Sequence, residues 1–503
     1  MKKIDIFFIF LITILTFLIW YGIVNRSLNG DGYYYFAPPY SLFSPDGKLS
    51  LTISTLDNFP RILDFILEKS FGGNMRSYMA TVLGIIIIVN ISFYIFIKKV
   101  TRNQYIAFLA SIYAGINYKS GYTFYANGTL QWVWQRVPEL IPVFVSFWFL
   151  IKFVNGRKTK DYLLSLIFFV LAMLMTHYTI FFLPFIPAFA IIFSTLKIKG
   201  KKDKLKTIIL CLPFIVISWL IIKDSRMPLS LLHPNQTFLQ SLMPTNKTIP
   251  QISFQLVVST IPFSLLQLLK EHFFKYNSYK EIILFLAVPV YLFYLTIFVY
   301  LYKRKFKSFE FILASFIALI CAQFFNIYTN RYDVYQEIER GRYLFVPALY
   351  VGIILASFLV NVSKQFRAFS FLVVVLTAMW ILNNANLIKK NISDTQYVHT
   401  GGILMLNKLA EQKNNFPDNA VVLLPYPIMP CGDTFLEKYY SGKNTRFFVI
   451  NSKLEDILPS NFDTKKLFVF DYNDEAKKGP ANERLEKIKI IDKSEEYRRK
   501  LRL

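Results

Sequence analysis

The residue with the plainest chemical potential is Asp31, in Asn29-Gly30-Asp31-Gly32-Tyr33-Tyr34-Tyr35. Flanking glycines let the backbone turn sharply and let a ligand come close. A carboxylate held at a membrane surface can accept a proton from an incoming hydroxyl. The competing reading is a turn aspartate ahead of an interfacial aromatic belt. In that reading Tyr33, Tyr34 and Tyr35 are belt residues; in the other, Tyr33 or a neighbour stacks on a ligand.

Cationic candidates lie far along the chain. Arg136, Arg340 and Arg342 fall at predicted outer helix ends, with Arg331 nearby. Such side chains either serve a site or snorkel to lipid headgroups. Glu139 lies just inside an apolar run, where a carboxylate is costly unless it is paired or functional. Arg136, three residues earlier, is its simplest partner. His177, in Met175-Thr176-His177-Tyr178, marks a predicted outer turn and reads as structural or as a site group. Glu337 and Glu339 neutralise neighbouring arginines or hold an acceptor or metal.

What must position these residues is a membrane bundle. Hydrophobic residues make up 54% of the 503 and charged residues only 18%, too few for a soluble chain of this size. Apolar runs recur at roughly 4–24, 79–97, 105–118, 138–154, 161–176, 179–196, 207–223, 282–302, 309–327, 343–360 and 367–386. Most are long enough to cross a bilayer, and inside lipid such runs must be helices. The first follows Lys2 and Lys3, exceeds a signal-peptide core in length, and is expected to remain as an uncleaved first helix. About eleven crossings result, with the N-terminus inside and the C-terminus outside. Most of the net charge of +25 falls on the short connections this places in the cytoplasm. The charge therefore reports orientation, and no nucleic-acid partner is implied. Cys211, Cys321 and Cys431 offer no disulfide framework and no zinc spacing.

The transmembrane domain is expected over residues 1–390. Its first outer loop, 25–78, contains an amphipathic pattern at Phe59–Leu67 suited to the membrane interface. A second apolar stretch, 252–269, is predicted to be interfacial or re-entrant. Residues 391–503 read as a small extracytoplasmic α/β domain with strands near 420–424, 446–450, 467–470 and 488–491.

The layout resembles the GT-C superfamily of membrane glycosyltransferases, which includes protein O-mannosyltransferases and the aminoarabinose transferase of lipid A. The matching stretches are Gly30-Asp31-Gly32-Tyr33-Tyr34, then Asn58-Phe59-Pro60-Arg61-Ile62-Leu63, Phe71-Gly72-Gly73, Arg76 and Lys98-Lys99-Val100-Thr101. Gln135-Arg136-Val137-Pro138-Glu139-Leu140 and Gly341-Arg342-Tyr343-Leu344-Phe345-Val346-Pro347-Ala348 complete them. The resemblance covers most of residues 1–386 in layout and short patches in residues.

It implies transfer of a sugar from a polyprenyl-phosphate donor to a lipid, glycan or protein acceptor outside the cytoplasmic membrane. Asp31 matches the first-loop acid that acts at the acceptor, and Arg136, Arg340 or Arg342 would hold the departing phosphate. The commoner paired-acid pattern is broken here by Gly32. A divalent cation stays open as a cofactor, but one carboxylate without a neighbouring acid is a poor hard-cation site. Two other readings remain: a lipid or polysaccharide transporter or flippase, and a non-catalytic relative in envelope assembly. Charges at helix ends rather than mid-membrane, and no visible repeat, favour the enzyme over the transporter.

Overall fold

The computed structural model describes residues 3–25, 58–71, 75–116, 138–175, 177–224, 248–274, 278–329, 345–412, 416–417, 420–424, 446–449, 466–473 and 489–501. Among these, the first half of the chain forms α1 (Lys3–Trp20), α2 (Asn58–Phe71), α3 (Met75–Thr101), α4 (Gln104–Gly115), α5 (Leu140–Gly156), α6 (Thr159–Met175), α7 (Phe185–Lys197), α8 (Lys201–Ile209) and α9 (Leu212–Asp224). The second half forms α10 (Thr248–Thr260), α11 (Phe263–His272), α12 (Tyr279–Lys303), α13 (Phe309–Thr329), α14 (Phe345–Gln365) and α15 (Arg367–Gln412). The protein is an α-helical bundle with a small sheet. Among the described residues seven spans are long and apolar enough to cross a membrane, and the α5 and α13 regions are shorter apolar helices. Every apolar run expected from the sequence coincides with a helix or with part of one.

Burial shows why these helices belong in lipid. On α12, Ile283, Ala287, Val290, Tyr294, Ile297 and Leu301 are buried at helical spacing. Phe285, Val288, Leu292, Leu295 and Val299 line the opposite face and are exposed. A helix apolar on both faces, with one face uncovered, needs an apolar solvent. Phe371, Val374, Met379 and Leu382 give α15 the same bare face.

The helix ends sort into two groups. Lys98 at the end of α3 binds Asp5 at the start of α1, with the Tyr94 hydroxyl donating to the same carboxylate. Lys152 at the end of α5 pairs with Asp161 at the start of α6 (3.0 Å). Lys197, closing α7, pairs with Glu310, opening α13 (3.0 Å). The Ser308 hydroxyl donates to the Val100 carbonyl, and the Tyr300 hydroxyl, near the end of α12, donates to Gln365 at the end of α14. One end of the bundle therefore gathers the short Lys- and Arg-rich connections, and successive long helices leave it and return to it. Asp5, Asp161 and Glu310 are nearly inaccessible to water there. A buried carboxylate is tolerable only with such a partner.

Two short helices survive because protein surrounds them. α4 has 12 residues, about 18 Å of helix against a hydrocarbon core of about 30 Å. Its side chain at Asn103 caps the start by accepting from the Tyr105 and Ile106 amides, and it packs against α14 and α3. At Gly352 of α14 an added Cβ would lie 3.0 Å from the Ala110 carbonyl oxygen, so the two backbones approach as small residues allow. α10 packs against α12, α13 and α14 and buries most of its second half. It breaks at Ile261-Pro262 before α11, so the stretch expected at 252–269 is two helices, the first enclosed by the bundle.

α15 is a single helix of 46 residues that passes through 390, the expected domain boundary. It leads to four strands: β1 (Ala420–Leu424), β2 (Arg446–Val449), β3 (Phe468–Tyr472) and β4 (Ile490–Asp492), followed by α16 (Ser494–Leu501). The order is β2-β1-β3-β4. β1 runs parallel to both neighbours and β4 antiparallel to β3, with Val422 opposite Phe447 and Phe470. Val421, Leu423, Leu467 and Val469 pack one side under Tyr497 and Leu501 of α16. Ala420, Val421, Val422 and Leu423 are all buried, alternate residues belonging to two different apolar clusters, as in a strand covered on both faces.

Candidate functional site

Of the site residues expected from the sequence, the described ones, Glu139 and the backbone of His177, lie at the bundle end opposite the basic connections. α5 and α7 end among those connections, so the start of α5 and the turn before α7 lie away from them. Glu139 immediately precedes α5 and its side chain is fully buried. Its backbone is already helical and its carboxylate makes no capping bond to its own helix, although its carbonyl accepts from the Val143 amide (3.2 Å). A negative charge here faces the positive end of the α5 dipole, which lowers the cost of burying it. The carboxylate expected just inside the fourth apolar run is thus enclosed by protein.

His177 opens a 3-10 turn, His177–Phe182, between α6 and α7; its side chain lies outside the described set. The turn packs on α5, α6 and α13. The Thr179 hydroxyl donates to the Ala172 carbonyl and fixes the turn against the end of α6 (2.9 Å). Phe181 meets Phe325 edge-on, and Phe182 contacts Phe147 and Tyr350. The turn thereby ties α5, α13 and α14 together at one level. α2 packs on α3 and α6, with Leu67 buried and Ile66 and Phe71 exposed. That division of one short helix suits the water–lipid interface.

Asp31, Tyr33, Arg136, Arg331, Glu337, Glu339, Arg340 and Arg342 lie outside the described residues. Among the described residues no group of three or more His, Cys, Asp or Glu could hold a metal ion.

The structure adds polar residues the sequence reading passed over. Gln255 of α10 donates through its side-chain amide to the Gln323 carbonyl of α13 (3.1 Å). The Gln323 side-chain amide and the Tyr350 hydroxyl are buried with no hydrogen-bond partner among the described residues. Thr260 and Tyr294 share a hydroxyl pair at 2.9 Å, and Ser253 and Tyr291 another at 3.3 Å. The signal was present: a glutamine inside an apolar run is costly and asks for a partner.

No family model matches the sequence, and no curated protein does. Among solved structures, the chain is similar in fold to an archaeal oligosaccharyltransferase. One is AglB from Archaeoglobus fulgidus in complex with an inhibitory peptide and a dolichol-phosphate: TM-score 0.45, 12% identity, covering 87% of this chain and 64% of that one. Another is the Archaeoglobus fulgidus oligosaccharyltransferase in the apo form: TM-score 0.46, 12% identity, 89% and 64%. The chain thus spans less than two thirds of the length of either.

Proposed function

We propose that this protein is a GT-C-type membrane glycosyltransferase that moves a sugar from a polyprenyl-phosphate donor to an acceptor at the outer membrane surface. The observation that carries the reading is a convergence. The described parts of the separate sequence patches, Asn58–Leu63 in α2, Pro138–Leu140 at the start of α5 and Phe345–Ala348 at the start of α14, avoid the basic end. One of them carries a buried carboxylate, Glu139. Patches hundreds of residues apart that return to one end of a bundle are what a shared site requires.

In the proposed reaction Asp31 accepts the proton of the acceptor hydroxyl. The oxygen attacks the anomeric carbon, the bond from that carbon to the phosphate oxygen breaks, and polyprenyl phosphate leaves with the electron pair. Arg136 and Arg342 hold that anion, where a bidentate guanidinium is worth most in a water-poor site. The configuration at the anomeric carbon inverts. Sidedness follows from the basic connections, which we assign to the cytoplasm.

The test is release of free polyprenyl phosphate from a polyprenyl-phosphate sugar by purified protein in detergent, where no compartments exist for transport. Asp31→Asn should lower the rate by roughly 100-fold or more while expression stays unchanged. Full activity in that variant removes the base assignment, and no release by the unaltered protein with any such donor removes the transferase reading.

A further inference from the structure

The strongest unassigned feature lies at the other end of the molecule. A cavity of about 1020 Å³ opens between the ends of α3, α5, α7, α12 and α14 and the starts of α4 and α13. Eight Lys and Arg side chains line it against one carboxylate, Glu310, and Glu310 is already bound by Lys197. Lys152 is likewise occupied by Asp161. Lys99, Arg102, Arg304, Lys305, Lys307 and Lys364 have no carboxylate partner among the described residues.

Two bland accounts fall short. Helix C-termini attract cations, and five helices end here, each with about half a negative charge, so roughly 2.5 charges are answered in this way. Six unpaired cations exceed that. A general basic bias also leaves each Lys free to reach outward into solvent. Here the six side chains, although exposed, all border one cavity. The Lys99 and Lys152 ammonium groups both lie 5.7 Å from the Trp148 ring centre, on the cavity wall. Phe189, Phe193 and Phe311 continue the wall as an apolar surface.

Two of the cavity's cations stand on unusual backbone. Arg102 (φ 54°) and Lys305 (φ 48°) sit in the left-handed region, where a residue with a Cβ costs roughly 1–2 kcal/mol and glycine is usual. Both are charged, both line the cavity, and the turns that carry them are joined by the bond from Ser308 to Val100.

We propose that this cavity is a binding site for a phosphate anion, either the phosphoester of an anionic lipid or a free phosphate. The cations would grip the phosphate oxygens, and the aromatic wall would accept the apolar part of a lipid. The site is independent of the transferase reading, since it lies at the opposite end of the bundle.

The test uses the full chain in phosphatidylcholine nanodiscs, titrated in one arm with phosphatidylglycerol and in the other with inorganic phosphate at matched ionic strength. The readout is the thermal unfolding midpoint. At least one probe should raise it. In the double variant Arg102→Gly, Lys305→Gly, the midpoint without probe should be no lower than in the unaltered protein, because glycine adopts positive φ freely. The same variant should need roughly ten-fold more probe for the same rise. Lys99→Gln, which touches neither turn, should weaken the response in the same direction. Response to phosphatidylglycerol alone assigns the lipid source, and response to inorganic phosphate assigns the soluble one. A midpoint that neither probe raises, or a rise equal in the glycine variant, overturns the proposal.

Discussion

At the residue scale, buried polar groups separate what the sequence shows from what only the fold can. Glu139 was visible as a carboxylate inside an apolar run, and the structure encloses it. Asp5, Asp161 and Glu310 were visible only as loop acids among lysines; their pairing runs between helices and has no local signal. Tyr472, at the end of β3, is a further case. It is fully buried and its hydroxyl has no partner among the described residues. Burial pushes its phenol above the ordinary 10.0. The folded state therefore binds that proton more tightly than the unfolded chain, so its contribution is intact below pH 10 and declines as pH rises above it. Tyr472→Phe removes an unsatisfied hydroxyl and should be neutral or stabilising by about 1 kcal/mol at pH 7. It should also lessen the loss of stability above pH 10. Thermal unfolding across that range checks both, and a variant clearly less stable at pH 7 would mean the hydroxyl has a partner.

At the element scale, the apolar runs were legible because length and composition are what a bilayer selects. The break within 252–269 was also written, at Pro262, where a proline disfavours helix in the residue before it. What could not be read was enclosure. Whether a 12-residue helix such as α4 can sit inside a membrane protein depends on its neighbours, and those come from far along the chain. Gly352 tests that contact. A Cβ there would meet the Ala110 carbonyl oxygen at 3.0 Å and the Ala114 nitrogen at 3.4 Å, both backbone atoms that cannot swing away. Overpacking of this kind costs typically 1–3 kcal/mol. Gly352→Ala should lower the unfolding midpoint slightly and Gly352→Val clearly more. If the valine variant matches the unaltered protein, α4 and α14 are not in the contact described.

At the scale of the whole molecule, charge asymmetry was the one global property the sequence carried, and its spatial counterpart is the gathering of Lys- and Arg-rich connections at one bundle end. The sheet's strands were legible from short apolar runs, but its order was not, because parallel pairing of β1 with both β2 and β3 depends on crossovers far from the strands. α15 joins the two regions. Its 46 residues extend about 69 Å, more than twice a hydrocarbon core of about 30 Å. Its later half must therefore project from the membrane on the side opposite the basic end. Cysteines placed singly at Lys202, exposed in the first turn of α8, and at Glu411, near the end of α15, should then report opposite compartments. In a background with Cys211, Cys321 and Cys431 changed to serine, a membrane-impermeant maleimide added to intact cells should label the Glu411→Cys protein. The Lys202→Cys protein should react only after the membrane is opened. Labelling of both positions from one side would mean that α15 turns back or does not cross, and the assignment of the basic end to the cytoplasm would lose its support; the reverse pattern would invert the protein and move the proposed transfer site to the inner surface.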